Sequence, residues 1–347
     1  MGLAKDCKIN LHSKYRKGAR NLITDVAGIR VGQVTIKSED QNINTGVSAI
    51  MPASDNIFRR KMFAASSIIN GFGKSVGLVQ MEELGTLESP IIMTNTLSVG
   101  TALTASVKYM LEMNPEIGVE TGTVNCVVTE CNDGELNDIR GLHVREEHVR
   151  QAIESASEIF EEGSVGAGTG MEMMGLSGGI GSASRLVEIG GKDYTIGAIA
   201  LTNYGSSDGL VIGGDYIGRR IKAERIKEDK GSCIIVIATD IPMICRQLKR
   251  LANRAAHALA LTGSYSGNGS GDIAIAFSTA NRIEHFNEGK FKNIDMIYDD
   301  ELSPVFAAGV EAVEEALISS IYHADSMPGV RGRQEKSLRD YMHLYEG

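Results

Sequence analysis

The 347-residue chain has no tryptophan, only six prolines and only five cysteines. Five is an odd number, and Cys7, Cys126, Cys131, Cys233 and Cys245 form no CxxC pair. A disulfide framework and a zinc ribbon are therefore not supported, and reduced thiols in a reducing compartment are expected. No apolar run reaches the ~18 residues that a membrane helix needs. The first twenty residues lack the apolar core of a signal peptide, and Asp6 stands where N-myristoylation needs Ser or Thr. Basic charge is also short: 35 Lys and Arg against 44 Asp and Glu leave a net charge of −9. Nucleic-acid binding needs clustered cations to displace phosphate counterions, so it is not expected. None of the seven histidines lies in HExxH or another ligand spacing, so neither a metal nor a cofactor is expected. The composition reads as a soluble cytoplasmic protein with no membrane partner.

What is abundant is glycine, at forty residues, which points to tight turns and close backbone approaches. Short apolar runs at 47–51, 91–94, 124–129, 195–201, 234–239 and 273–277 are flanked by turn residues and read as buried strands. Helices are expected at about 98–113, 143–162, 242–262 and 304–323. The last should start with Ser303 as N-cap and Pro304 as first helical residue, and its Val310, Val313, Leu317 and Ile321 fall on one core-facing stripe. The alternation is that of a mixed α/β fold, with no fixed-period repeat. The one clear linker is the hydrophilic stretch KAERIKEDKG at 222–231, whose mixed-sign charges read as a solvated loop.

Three glycine motifs suggest chemistry and fail on context. GKS at 73–75 would end a phosphate-binding loop only if position 68 were glycine, and it is Ile68. GAGTG at 166–170 lacks the full dinucleotide spacing and a convincing strand before it. Gly175 to Gly179 matches GxSxG around Ser177, but no helix pattern follows, so a structural turn is the preferred reading.

A hydrolase without a histidine base can use a Ser or Thr whose own α-amine is the base. Such an amine has a pKa of about 7.7–8.0, close to working pH. An internal residue must first be exposed by chain cleavage. Gly231-Ser232 has the right local character: a charged loop precedes it, Gly231 has no Cβ to obstruct attack on its carbonyl, and an apolar strand follows to hold the new terminus. Taken alone, Gly-Ser before a strand is an ordinary turn.

Seven long motifs change that reading. They are NLITDVAGIRVGQVTI (21–36), SPIIMTNTLSVGTA (89–102), TECNDGELNDIRGLHV (129–144), GAGTGMEMMGLSGGIGSASR (166–185), YTIGAIALTNYG (194–205), KGSCIIVIATDIP (230–242) and GSGDIAIAFSTAN (269–281). In this order the chain resembles the family of the L-aminopeptidase/D-amidase-esterase and the β-peptidyl aminopeptidases, peptidase family S58. The resemblance implies a four-layer αββα sandwich, similar to the N-terminal-nucleophile hydrolases with different connectivity. It implies one hydrolase domain over 1–347 that cuts itself into 1–231 and 232–347. Ser232 then matches the nucleophile, Asn203 the amide donor to the oxyanion, and Ser270 and Asp272 the pair that holds the nucleophile and its amine. Glu130 matches the carboxylate that receives the substrate ammonium. The implied substrate is a short peptide or amino-acid amide, and the implied assembly is a homo-oligomer, a tetramer of cleaved units.

Two positions depart from the pattern. Asn132 sits where a relative carries an aromatic, and Lys74 where an acidic or neutral residue is expected; both bear on the substrate pocket. Two alternatives stay open. One is acyl transfer of the ornithine acetyltransferase kind, whose nucleophile is usually Thr, against Ser232 here. The other is an unprocessed, inactive binding protein.

Overall fold

The structure, a computed structural model, describes residues 9–221, 231–287 and 289–347. Cys7 and residues 222–230 of the expected linker lie outside the described residues. In chain order the strands that build the molecule are β1 (Arg30–Ser38), β2 (Ile43–Met51), β3 (Arg60–Gly71), β4 (Thr86–Leu87), β5 (Ile91–Asn95), β6 (Val127–Cys131), β7 (Glu172–Met173), β8 (Leu176–Ser177), β9 (Gly179–Ile189), β10 (Lys192–Asn203), β11 (Ser232–Thr239) and β12 (Gly271–Glu284). The helices are α1 (Leu78–Leu84), α2 (Val99–Met113), α3 (Glu146–Glu154), α4 (Cys245–Ala252), α5 (Ala255–Leu261) and α6 (Leu302–His323).

Two sheets lie face to face, one in the order β1-β2-β5-β6 and one in the order β4-β3-β12-β11-β10-β9. The inner core joins them: Ile50, Ile91, Met93 and Val127 meet Leu201, Ile234, Val236, Ile275 and Phe277. The outer face of the larger sheet, through Cys233, Ile235 and Ile237, packs on Leu248, Leu251, Leu259, Val313 and Leu317 of α4, α5 and α6. The outer face of the smaller sheet packs Val47, Ala49 and Ile92 on α2 and α3 through Ala102, Ala105, Val149 and Ala152. This is the expected αββα sandwich. It explains why β11 reads as an unbroken apolar run: a central strand covered on both faces has no side to leave polar. Among the described residues no helix is long and apolar enough to cross a membrane.

Each expected strand coincides with or overlaps an observed one. The run at 124–129 is displaced: the strand is Val127–Cys131, and Cys126 packs apart with Phe58, Met110 and Ile117. Strands β1, β3 and β9 are additions. The segments of β3 and β9 are rich in Gly, Ser and Ala, which weakens the apolar signal but serves packing. A methyl group on Gly181 of β9 would lie 2.0 Å from the carbonyl oxygen of Ala316 on α6, so glycine is what allows that helix to approach the sheet.

Three helices differ from expectation. The helix expected at 143–162 spans only Glu146–Glu154, because the chain then extends and Ser157 exchanges two backbone hydrogen bonds with Val31 at the sheet edge. The helix expected at 242–262 is broken at Asn253–Arg254 into α4 and α5. The last helix begins at Leu302 with Glu301 as N-cap, so Ser303 is not the cap. Pro304 still sits in the first turn, where a backbone N–H has no helical partner to lose.

The topology brings the end of β3, the ends of β5, β6 and β10, and the beginnings of β11 and β12 to one edge of the sandwich. There Ser232 pairs with both Asn203 and Gly271, and Asn95 with Cys131.

Candidate active site

Ser232 opens β11, antiparallel to Asn203 and parallel to Gly271, and is 4% exposed. Its hydroxyl donates to the Gly231 carbonyl oxygen at 2.6 Å. The same oxygen accepts the Gly271 backbone N–H at 2.9 Å. A methyl group on Gly231 would lie 1.9 Å from the Asn203 carbonyl oxygen, so no other residue fits there without moving the strand end. Gly231 is thus held against β10 with its carbonyl turned to a hydroxyl and an N–H.

Asn203 closes β10. Its Oδ1 accepts the backbone N–H of Glu172 at 2.9 Å, supplied by the small β7–β8 hairpin. An N–H donor can only face the carbonyl end of an amide, so this bond fixes the orientation of the group and leaves its NH2 as the donor. Ser270 and Asp272 flank Gly271 and are fully buried, and the Ser270 hydroxyl donates to Asp272 Oδ1 at 2.7 Å.

Glu130 comes from the other sheet, on β6, and is 2% exposed. Its Oε1 accepts the backbone N–H of Lys74 at 2.8 Å, and its Oε2 accepts the Thr96 hydroxyl. A carboxylate has about four acceptor positions, so two remain for a ligand cation. The 72–74 segment connects this carboxylate to the serine. A methyl group on Gly73 would stand 3.5 Å from Glu130 Oε1 and 3.8 Å from the Gly271 Cα, and one on Gly271 would stand 3.0 Å from Ser232 Oγ. Next to Glu130, Cys131 is a fully buried thiol. Burial pushes its pKa well above the ordinary value, reinforced by Glu130, Cys233 and Asp272. It is therefore no rival nucleophile.

The structure brings Ser232, Gly231, Asn203, Ser270, Asp272 and Glu130 to this edge. Asn132 is close in sequence but exposed, and its Oδ1 accepts the Gly134 N–H at 2.9 Å, which closes a local turn. Sequence reasoning missed the donors Thr96, Lys74 N–H and Gly271 N–H. Thr96 lay inside a quoted motif, but backbone donors carry no residue-type signal at all. Ser177 lies in the β7–β8 hairpin, with its hydroxyl 3.4 Å from the Glu335 carbonyl and no helix following, as the turn reading expects. Among the described residues no group of three His, Cys, Asp or Glu is arranged to hold a metal.

Asp133, three residues beyond Glu130, is fully buried among Thr45, Asn95 and Asn137. Burial raises its carboxyl pKa to about 7, although those neighbours act to lower it. The folded chain thus keeps a proton that the unfolded chain gives up near pH 4. Between about pH 4 and 7 the unfolded state binds fewer protons, so stability falls as pH rises, by on the order of 2–4 kcal/mol, and then levels off. Asp133→Asn should remove this slope and raise the unfolding midpoint at pH 8 relative to the parent. Denaturant titrations at pH 5 and pH 8 with parallel trends for the two proteins would refute the assignment.

With the geometry in view, the likeness to known proteins is informative. The model of peptidase family S58 matches residues 21–335. The beta-peptidyl aminopeptidase BapA of Sphingosinicella microcystinivorans is 37% identical over 341 residues, covering 91% of this chain and 85% of that protein. The crystal structure of the PH0078 protein from Pyrococcus horikoshii OT3 superposes with a TM-score of 0.93 at 49% identity, covering 97% of this chain and 96% of that one. The L-aminopeptidase D-Ala-esterase/amidase from Ochrobactrum anthropi, a prototype of the serine aminopeptidases and a variant of the Ntn hydrolase fold, gives a TM-score of 0.88 at 35% identity over 96% and 97% of the two chains. A family match over nearly the whole chain, together with relatives of this identity and coverage, means that the protein belongs to peptidase family S58 and is a peptide hydrolase.

Proposed function

We propose that the chain is an autoprocessing serine aminopeptidase that cuts itself between Gly231 and Ser232 and then releases N-terminal residues from short peptides or amino-acid amides. The observation that carries this reading is the Gly231 carbonyl, which faces the Ser232 hydroxyl at 2.6 Å and the Gly271 N–H at 2.9 Å. In the first step the hydroxyl oxygen attacks the Gly231 carbonyl carbon and the Gly271 N–H stabilises the developing oxyanion. The C–N bond breaks, the hydroxyl proton passes to the leaving nitrogen, and the acyl group is left as an ester on Ser232. Water hydrolyses that ester, giving a Gly231 carboxylate and a free Ser232 amine.

In the second phase the amine takes the hydroxyl proton as the oxygen attacks a substrate carbonyl. Ser270 and Asp272 hold the protonated amine, and the Asn203 NH2 binds the oxyanion. The amine leaving group departs and water resolves the acyl-enzyme. Glu130 receives the substrate ammonium, and Asn132 borders the pocket with its NH2. Two pieces cut at 231 stay joined by the β10–β11 pairing and by the buried ion pair of Arg185 with Glu315 of α6 at 2.7 Å. The names of the relatives, β-peptidyl aminopeptidase and L-aminopeptidase D-Ala-esterase/amidase, support peptides and amides of α- or β-amino acids as the substrate class. We also read the protein as cytoplasmic, from its free thiols, and as a homo-oligomer, a tetramer of cleaved units.

The test is recognition of the free amine. Glu130→Gln should lower kcat/KM for free-amine peptides by about 10–100-fold, the size of a charge-assisted hydrogen bond. N-acetylated peptides should be poor substrates of both proteins. Equal turnover of blocked and free peptides by the parent would overturn the aminopeptidase reading.

A further inference from the structure

One charged side chain at the site, Lys74, takes no part in this chemistry. Lys74 donates its backbone N–H to Glu130, yet its side chain is exposed, and its ammonium lies 4.5 Å from the centre of the Phe72 ring. Among the described residues that ring is the contact the ammonium makes. Phe72 is itself 58% exposed, and its backbone runs across the mouth of the site. Its N–H donates to the Ser270 carbonyl at 3.2 Å, and its own carbonyl oxygen would be 2.7 Å from a methyl group on Gly271. The 72–74 segment therefore forms a rim between Ser232 and Glu130, with the Lys74 ammonium at the Glu130 end.

A lysine ammonium is a compact point charge on a flexible four-carbon stem that reaches roughly 6 Å from its Cα. Anchored by its main chain to Glu130, the Lys74 ammonium can swing off the Phe72 ring and over whatever that carboxylate holds. The cation–π contact it gives up at an exposed ring is weak. A ligand group beside the bound ammonium therefore meets positive charge, and a carboxylate there would complete an alternating row: Glu130, substrate ammonium, substrate carboxylate, Lys74.

We propose that Lys74 is a specificity-determining residue that selects acyl groups carrying a carboxylate next to their free ammonium, which means N-terminal aspartyl residues. This rests on Glu130 as the ammonium receptor. Two linkages share the chemistry. In a β-linked aspartyl peptide, ammonium and carboxylate sit on one carbon; in an α-linked one, the carboxylate is one carbon further out. Both distances are within the reach of the lysine. The reaction itself is unchanged: the acyl carbon passes from the peptide nitrogen to Ser232 Oγ and then to water, releasing aspartate.

The test compares p-nitroanilides of aspartate linked through the α- or the β-carboxyl with the matching amides, in which the free carboxyl is replaced by carboxamide. The parent enzyme should prefer the carboxylate over the carboxamide by about fivefold in kcat/KM, the scale of an exposed ion pair, carried mainly by KM. The preference should shrink at ~0.5 M salt, as exposed pairs are screened. Lys74→Gln should bring the ratio to about one, and Lys74→Arg should keep it. Preference in the β-linked series alone identifies isoaspartyl peptides, and in the α-linked series alone ordinary aspartyl peptides; either supports the proposal. No preference for the carboxylate, or a preference that survives in Lys74→Gln, overturns it. Should the parent hydrolyse no anilide at all, the aminopeptidase reading fails separately, and calorimetry decides on Lys74. L-Aspartate binding more tightly than L-asparagine to the parent but not to Lys74→Gln supports it, and equal or absent binding of the two overturns it.

Discussion

Ser232→Ala should give one uncut band of 347 residues on a denaturing gel, with peptidase activity reduced by on the order of 10⁴–10⁶-fold. The parent should give fragments 1–231 and 232–347, with serine as the first residue of the second. Both effects come from one oxygen. In the intact chain it sits 2.6 Å from the carbonyl oxygen of the bond to be broken, and after the cut it is the only group in the site with an adjacent amine to take its proton. Nothing nearby substitutes for it. Cys131, the thiol next to the Glu130 carboxylate, is buried and held protonated.

Ser232→Cys separates the two steps. A thiol is the stronger nucleophile near neutral pH, but sulfur is larger and moves the reacting atom in a site sensitive to ~1 Å displacements. Partial processing with poor amide hydrolysis is expected. Ser177→Ala serves as the control, since its hydroxyl faces the Glu335 carbonyl in a hairpin and should leave activity intact. Activity in uncut Ser232→Ala protein, or a fragment beginning at any residue other than 232, would falsify the assignment.

How much of this was legible in the sequence depended on which chemical signal each part carried. β11 was readable because a strand buried on both faces must be apolar throughout, and Ile234 to Ala238 satisfy that. β9 was not, because Gly179, Gly181, Ser182 and Ser184 are small, Gly181 to admit α6 and Gly179 to admit the Gly163 backbone, and small residues score as turn or loop. Asn203, Ser270, Asp272 and Glu130 could be named only through a resemblance, since each alone is an ordinary polar residue. The structure adds that they converge at one edge. The Gly271 N–H, the Lys74 N–H and the Glu172 N–H could not be named from the sequence. They are main-chain donors, and their positions follow from strand register and from the path of 72–74, which no residue type encodes.

That last donor makes Asn203 the sharper test of the second phase. Because the Glu172 N–H holds Oδ1 at 2.9 Å, the NH2 of Asn203 is the end left for a substrate oxyanion, and it sits on the residue paired with Ser232. Removing one such donor typically costs 10²–10³ in kcat, about 3–4 kcal/mol, because the dipole is already oriented when negative charge appears. Asn203→Ala should therefore slow amide hydrolysis by roughly that factor with a small change in KM, since the interaction forms in the transition state and not in the ground state. Asn203→Asp is the stricter variant. It keeps the acceptor for Glu172 and nearly the same shape, yet it presents an oxygen where the donor was, so it should be at least as slow as the alanine variant. Processing offers an internal contrast. The Gly231 carbonyl takes its N–H from Gly271, so both variants should still yield a Ser232 N-terminus, more slowly if at all changed. Purified Asn203→Ala that is cut at 231 and hydrolyses amides at the parental rate would remove Asn203 from the mechanism while leaving Ser232 in place.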